Sequence, residues 1–592
     1  MPVRNALHSL LAGAVIACAT SVPFAAQSSS LLLNVTAAPA SPIEGASGYD
    51  QPPKNILDVM NAPSPPVPRV SPTQDAILLV SWQDYPPISR VATPFLRLAG
   101  ARVEPKNHSK HDTLGGYGIT PCARDFELVH IADGAQIQIA LPEGACPGAP
   151  IWSADGKRFA FVNLAPEAVE LWIGDAKTGE VHQVPRAHLN PMFNDELQWM
   201  ADQKTLLVKL VPDGMGSPPP EPAVPSGPSI QETEGEKGQS STYENRDTLG
   251  NKHDEDLFDY YAASQLALVD ANTAAITPVG KPANYETLSP APDGRHIFVS
   301  AIHKPYSYVT TYDRFPQEVE VWDVSDRAHL LVHTIASLPL ADRVPIAGVP
   351  VGPRDFSWRA TEPATLVWAE ALDGGDWKVK VPARDKILMV KAPFDSPAVE
   401  ITRTEQRYIS FAWGEKPSFA LLNEYDENRH WRRNFVINVD DQPAKPRLLW
   451  DLSTDEKYAN PGLPVTRQLA NGFWVVRQEG DSIYLAGLGS SPDGDRPFLD
   501  RLDLKTLKSE RLFRSDRTSF ERFLSFTGKD TRTFVTWRQS PTDPPNAFAR
   551  TLGKSADAPA GEAAFDSTSV AITHIPDPTP AVRAIKKRLV KY

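Results

Sequence analysis

The chain has 592 residues, a formal net charge of −12, 41% hydrophobic and 22% charged residues. That composition suits a soluble body with a sizeable core, excludes a polytopic membrane protein because no apolar run of spanning length follows the N-terminus, and argues against a general nucleic-acid binder, which needs basic stripes. Proline outnumbers glycine, 57 to 35, and since proline breaks helix interiors but is tolerated in turns and at strand edges, the balance points to an all-β, loop-rich protein.

Residues 1–26 read as an export signal. Arg4 supplies the positive n-region, Leu10 to Thr20 a short apolar stretch, and Ala25-Ala26 a cleavage site. Val15-Ile16-Ala17-Cys18 also fits a lipobox, in which cleavage before Cys18 attaches a lipid anchor there. Either processing route sends the mature protein to the periplasm or the extracellular space. Cys122 and Cys146 then remain as an even pair in an oxidising compartment. A bridge between them closes a loop of about 24 residues and contributes about 3 kcal/mol.

Residues 27–66 form an N-terminal extension with one short helix over residues 52–61. Pro52-Pro53 opens it, and Ile56, Leu57 and Met60 share a face. From 67 to 580 a two-part pattern recurs. The first part is a turn leading into a buried strand, as in Trp152-Ser153-Ala154-Asp155-Gly156 before Phe159 to Val162, and Ser289-Pro290-Ala291-Pro292-Asp293-Gly294 before Ile297 to Val299. The second part is a strand running into an Asp turn, as in Leu171 to Asp175 with Thr178-Gly179, Leu266 to Asp270 with Thr273, and Leu502 to Thr506. The Asp turns at Asp133 and Asp175 stand about 42 residues apart and those at Asp395 and Asp440 about 45 apart, close to the roughly 40–50 residues of a four-stranded blade. The pattern predicts a β-propeller of seven or eight four-stranded blades, whose radial closure protects sheet edges. Residues 211–262 interrupt it as a long loop insertion, Pro/Gly/Ser-rich at its centre and ending in a structured segment from His253 to Tyr261. Residues 581–592 follow as a joining segment.

Catalytic signatures are missing. There is no G-x-S-x-G elbow, no H-E-x-x-H, and no P-loop or dinucleotide glycine pattern. His108 and His111 lie in a polar loop and read as solvated histidines. His329 and His333 lie roughly 13 Å apart along a strand, too far to share an ion. No catalytic residue, metal ligand or cofactor is assigned. Three loop clusters instead carry arginine and aromatic residues: His303 to Tyr308 with Tyr312, Arg314 and Phe315; Lys378, Lys380, Arg384 and Asp385; and Arg429, Trp431, Arg432 and Arg433. Arginine's planar fork suits carboxylates, so Tyr308, Arg314 and Arg384 are the candidate substrate-binding residues.

The wording of several motifs resembles the N-terminal propeller of glutamyl-type peptidases in the prolyl oligopeptidase (S9) family. The stretches are Gln51-Pro52-Pro53 to Ala62-Pro63, Tyr85-Pro86-Pro87, Leu96 to Gly100, Ser264 to Asp270, Arg314-Phe315-Pro316, Glu370 to Asp376, Gly494 to Asp500 and Ser540 to Asn546. The resemblance implies a propeller that caps an α/β-hydrolase domain, restricts access to peptides and contributes substrate contacts. Catalytic Ser, Asp and His would come from that absent domain, so the chain is expected to be inactive alone. The expected partners are peptide substrates or the hydrolase domain. A second reading is a free-standing exported propeller that binds peptides or proteins, since the Ser-x-Asp-Gly blades are also similar to those of periplasmic scaffolds such as TolB.

Overall fold

The computed structural model describes residues 52–590, apart from 114–117, 225–245, 327–329, 442, 529, 556–558, 560, 584, 587 and 589. The export segment 1–26 with Cys18, the centre of the 211–262 insertion and His329 lie outside the described residues. The chain divides into two compact units, one of Met1–Pro63 with Asp577–Tyr592 and one of Ser64–Pro576. Among the described residues there are four α-helices: α1 (Lys54–Met60), α2 (Ile88–Val91), α3 (Lys252–Ala262) and α4 (Pro580–Arg583). In the smaller unit, α1 starts after Pro53 and is tied along its surface by Lys54 and Asp58 at 2.7 Å. Arg583 of α4 closes back on Asp577 at 2.9 Å.

Eight four-stranded antiparallel units run consecutively through the larger unit. Blade 1 comprises Val67–Val70, Ala76–Trp82, Ala123–His130 and Gln136–Gln138. Blade 2 comprises Ile151–Trp152, Arg158–Leu164, Val169–Asp175 and Val181–Leu189. Blade 3 comprises Leu197–Trp199, Thr205–Leu210, Ser264–Asp270 and the first half of Ile276–Pro290. The second half of that strand opens blade 4, which continues through His296–Ile302, Gln317–Asp323 and Leu331–Leu338. Blade 5 comprises Pro353–Trp358, Thr365–Ala371, Asp385–Lys391 and Val399–Thr404. Blade 6 comprises Arg407–Trp413, Phe419–Asp426, Trp431–Asn438 and Arg447–Ser453. In blade 7 the innermost strand is split into Leu463–Pro464 and Gln478–Glu479, both pairing Ser482–Gly487, with Phe498–Asp503 and Ser509–Arg514 outside them. Blade 8 comprises Phe520–Phe526, Thr533–Gln539, Asn546–Ser555 and Phe565–Ala571.

The turn chemistry explains the repeat. In the Asp hairpins one carboxylate accepts backbone N–H groups two and three residues on: Lys177 and Thr178 onto Asp175 at 2.8 Å each, and Asn272 and Thr273 onto Asp270 at 2.9 and 2.8 Å. These bonds, led by the one from Thr273, hold the Asp270 carboxyl below its usual range. In the first turn Ser153 accepts from Gly156, whose φ of +67° is one that glycine adopts without steric cost.

Side chains alternate across each strand, so each blade feeds two cores, one shared with each neighbour. Phe126 and Phe161 join blades 1 and 2, Leu171 and Val208 join 2 and 3, and Leu268 and Val299 join 3 and 4. The series continues through Val321 with Leu366, Ile387 with Leu422, Leu421 with Leu485, and Tyr484 with Phe534. The last core returns to the start: Ile77, Leu79 and Val129 of blade 1 pack with Val535, Trp537 and Ile572 of blade 8. The first and last units are therefore separate blades, closed on each other by apolar packing, and the count is eight.

Candidate functional site

Antiparallel order puts the Ser-x-Asp-Gly turns and the Asp hairpins at one end of every blade. The loops joining second to third strands, and the links between blades, fall at the other end. This second face carries the long insertions: 83–122 in blade 1, 211–263 in blade 3, 303–316 in blade 4 and 372–384 in blade 5. Tyr308, Arg314 and Arg384 all lie on it.

The loops of blades 1 to 4 are fused by one aromatic cluster. Leu98 and Val103 from blade 1's hairpin, Phe193, Phe258 and Tyr261 of α3, and Tyr306, Tyr312 and Phe315 pack together. Asn251 caps α3 by accepting from Asp254 N at 3.0 Å. The helix presents Phe258 to Tyr306 and Phe315, with ring centroids 5.0 and 5.6 Å away. Polar ties reinforce the docking. Tyr306 donates to Asp259, Lys304 pairs with Asp259 at 2.6 Å, and Tyr308 donates to Glu255 at 2.6 Å. The bond to Glu255 raises the Tyr308 hydroxyl pKa to about 12. Tyr308 thus holds the 303–316 loop to α3. Arg314 lies two residues beyond buried Tyr312 and pairs with the adjacent Asp313 at 3.7 Å.

Arg384 belongs to a separate network. It donates to Asp373 at 2.9 Å; Arg407 bridges Asp373 and Asp385 at 2.6 Å each; Arg354 pairs with Asp385 at 2.8 Å and with Asp355 at 3.2 Å. Asp385 also accepts from Tyr408 N at 2.7 Å. The side chains of Asp373 and Asp385 are fully buried and that of Arg354 nearly so. Charges so deep are tolerated only when paired in this way, and the network pins the 372–384 loop to blades 5 and 6. Arg384 is not brought into the cluster that holds Tyr308 and Arg314. Local sequence pattern had no means of selecting Arg354, Arg407 and Asp373, whose partners come from three segments.

Cys122 and Cys146 form a disulfide, Cα–Cα 4.7 Å, tying the end of blade 1's long loop to the link into blade 2. The histidines of that loop correct the sequence reading, because they are not solvated. His111 is buried, stacked 4.3 Å from Phe95 and hydrogen-bonded to Glu104 at 2.9 Å. His108 packs 5.0 Å from Tyr261, and burial pushes its pKa down. The reason is tertiary: α3, distant in sequence, covers His108. Among the described residues no group of three or more His, Cys, Asp or Glu side chains is arranged to hold a metal ion, and no helix is long and apolar enough to cross a membrane.

Eight radial four-stranded sheets with loops gathered on one face define a β-propeller. No protein-family profile matches the chain. It is 34% identical over 575 residues to a probable chloroplastic glutamyl endopeptidase of Oryza sativa subsp. japonica, covering 92% of this chain and 59% of that protein. A probable chloroplastic glutamyl endopeptidase of Arabidopsis thaliana is 34% identical over 518 residues, with coverage of 83% and 52%. The chain spans little more than half the length of these relatives. Among solved structures, a prolyl endopeptidase aligns at 11% identity and a TM-score of 0.40, covering 85% of this chain and 57% of that one. The β-propeller domain of a trilobed protease from Pyrococcus furiosus aligns at 10% and 0.35, covering 73% and 99%. The chain carries the propeller region of the glutamyl endopeptidase-like branch of the prolyl oligopeptidase (S9) family.

Proposed function

We propose that this chain is the substrate-gating portion of an exported S9-type serine peptidase that acts on peptides at acidic residues. The observation that carries the reading is the 34% identity running through 575 residues, long loops included, to probable glutamyl endopeptidases. Hydrolysis falls, in this reading, to an α/β-hydrolase domain outside these 592 residues. The propeller excludes folded proteins by size and orients an extended peptide with fixed side chains, which lowers the entropic part of the barrier. Basic residues of the long-loop face supply complementarity to acidic side chains. Export is supported by the composition of residues 1–26.

The test is the intact mass of the native protein, captured with an antibody against the propeller. A species well above 64.9 kDa that reacts with a fluorophosphonate and cleaves peptides after glutamate supports the proposal. A lighter, unlabelled species overturns it in favour of a free-standing peptide- or protein-binding propeller. N-terminal sequencing of the same sample reads the export step: an intact Met1 refutes it, and a lipid-modified Cys18 assigns the anchor.

A further inference from the structure

Three partly buried arginines have side chains that make no hydrogen bond, ion pair or ring contact among the described residues. They are Arg69 on the innermost strand of blade 1 and Arg432 on the third strand of blade 6, each with a buried Nε, and Arg522 on the innermost strand of blade 8, half-buried. In each case burial alone pulls the guanidinium below its ordinary pKa, with no carboxylate acting against it. A guanidinium held partly out of water without a partner is costly, and such groups are normally paired.

The register of the sheets singles out Arg522. In blade 6, Arg407 pairs across the sheet with Tyr425, Tyr408 pairs with Glu424, and a bulge follows. In blade 8, Arg522 pairs with Trp537, Phe523 pairs with Thr536, and a bulge follows at the same place. Arg407 and Arg522 therefore occupy the same position in two blades. Arg407 is paired with two carboxylates of the preceding blade, Asp373 and Asp385, at 2.6 Å each. Asp385 is the first residue of blade 5's third strand; the first residue of blade 7's third strand is Phe498. The acids of the loop before Phe498 are engaged elsewhere, Asp493 with Arg517 at 3.2 Å and Asp495 with Ser490 at 2.7 Å. Blade 8 thus keeps the arginine of this arrangement without its acids. Trp537, its cross-strand neighbour, belongs to the core between blades 8 and 1, so Arg522 lies at the inner edge of the seam that closes the ring. It stands toward the long-loop end of its strand.

We infer that Arg522 binds a carboxylate of a peptide entering the centre of the propeller from the long-loop face, in the place that Asp373 and Asp385 fill for Arg407. The inference rests on the peptide-gating reading and makes it specific. It moves acidic recognition from Arg384, whose guanidinium is committed to Asp373, to a guanidinium with no partner among the described residues. Arg69, on the neighbouring innermost strand, pairs across the sheet with Leu78 of the core between blades 1 and 2 and so faces the other side of blade 1.

The experiment is calorimetric titration of the 592-residue chain with three probes: acetyl-Ala-Ala-Glu-Ala-Ala-amide, its glutamine counterpart, and acetyl-pentaalanine with a free C-terminus. The expected result is tighter binding of the glutamate peptide, lost by about 10- to 100-fold in Arg522→Gln as for other charge-assisted hydrogen bonds. Partial recovery is expected in Arg522→Lys, and no change in Arg403→Gln, on the outermost strand of blade 5. Arg522→Gln should melt no lower than the parent, because it removes an unpaired charge. If instead the free-acid peptide alone responds to Arg522→Gln, the bound carboxylate is a C-terminus rather than a glutamate side chain. Preference for glutamate that survives Arg522→Gln overturns the inference, as does its loss in Arg403→Gln. Glutamate and glutamine peptides bound equally overturn the role of Arg522 while leaving the gating reading intact. Failure of the wild-type chain to bind any of the three overturns both.

Discussion

Replacing Asp385 with alanine removes the carboxylate on which two arginines converge. Arg354 then keeps only Asp355 at 3.2 Å, Arg407 keeps only Asp373, and the Tyr408 amide loses its acceptor. Because the Asp385 side chain is fully buried and that of Arg354 nearly so, water cannot compensate, and breaking one partner of such a pair costs about 3–5 kcal/mol. A unit of roughly 500 residues unfolds with an entropy near ~1 kcal/mol per kelvin, so the melting temperature should fall by about 3–5 °C. Asp385→Asn retains an acceptor for Tyr408 and should fall by less. Combining Asp385→Leu with Arg354→Met removes the stranded charge and should recover much of the loss. Calorimetry measures all three, and tryptic cleavage in the 372–384 loop, after Lys378 or Lys380, should accelerate in Asp385→Ala. An Asp385→Ala protein that melts with the parent, or a double variant no better than the single, would refute the view that this network holds the loop.

Three further outcomes are expected. Burial lowers the Lys209 ammonium pKa to about 8, while it donates to the carbonyls of Tyr285 and Glu286 at 3.1 and 2.8 Å. Since the folded state gives up this proton before the unfolded state does, stability relative to Lys209→Met should rise between about pH 8 and 10.5, by up to ~1.4 kcal/mol per pH unit; a flat difference in urea midpoints across that range would contradict it. A Cβ on Gly174 would lie 2.1 Å from the Phe159 ring, so Gly174→Ala should destabilise by about 1–3 kcal/mol through overpacking, read as a lower denaturation midpoint. Tyr308→Phe deletes the bond to Glu255, and hydrogen exchange over α3 should speed up by about 5- to 10-fold for a loss of about 1 kcal/mol, with blade 8 amides unchanged.

The repeat was legible because its turns are local. Ser153, Asp155 and Gly156, or Asp175 with Thr178, satisfy one another within six residues, and the strands that follow carry their burial in alternation. Helix α3 was legible only as a structured segment from His253 to Tyr261; its Asn251 cap and its buried Phe258 and Tyr261 emerge from the structure. The site was legible only in part. Tyr308, Arg314 and Arg384 were chosen as loop residues of suitable chemistry, and all three lie on the long-loop face. Yet nothing near Arg384 in sequence announces that Arg407 shares its Asp373, or that Arg354 joins the same network through Asp385. His111 looked solvated because Phe95 and Glu104, which bury it, stand outside its own turn.

The sequence by itself determined the kind of blade, the places where blades begin, and, through its likeness to a peptidase family, the kind of molecule to expect. Tertiary structure alone decided how many blades close the ring, because closure depends on Ile77 and Leu79 meeting Val535 and Trp537 across more than four hundred residues of chain. It also decided which arginines are spent on internal acids and which are left over. That distinction lies in the registers of neighbouring sheets, where Arg407 meets Asp385 and Arg522 meets no acid among the described residues, and no local pattern encodes it.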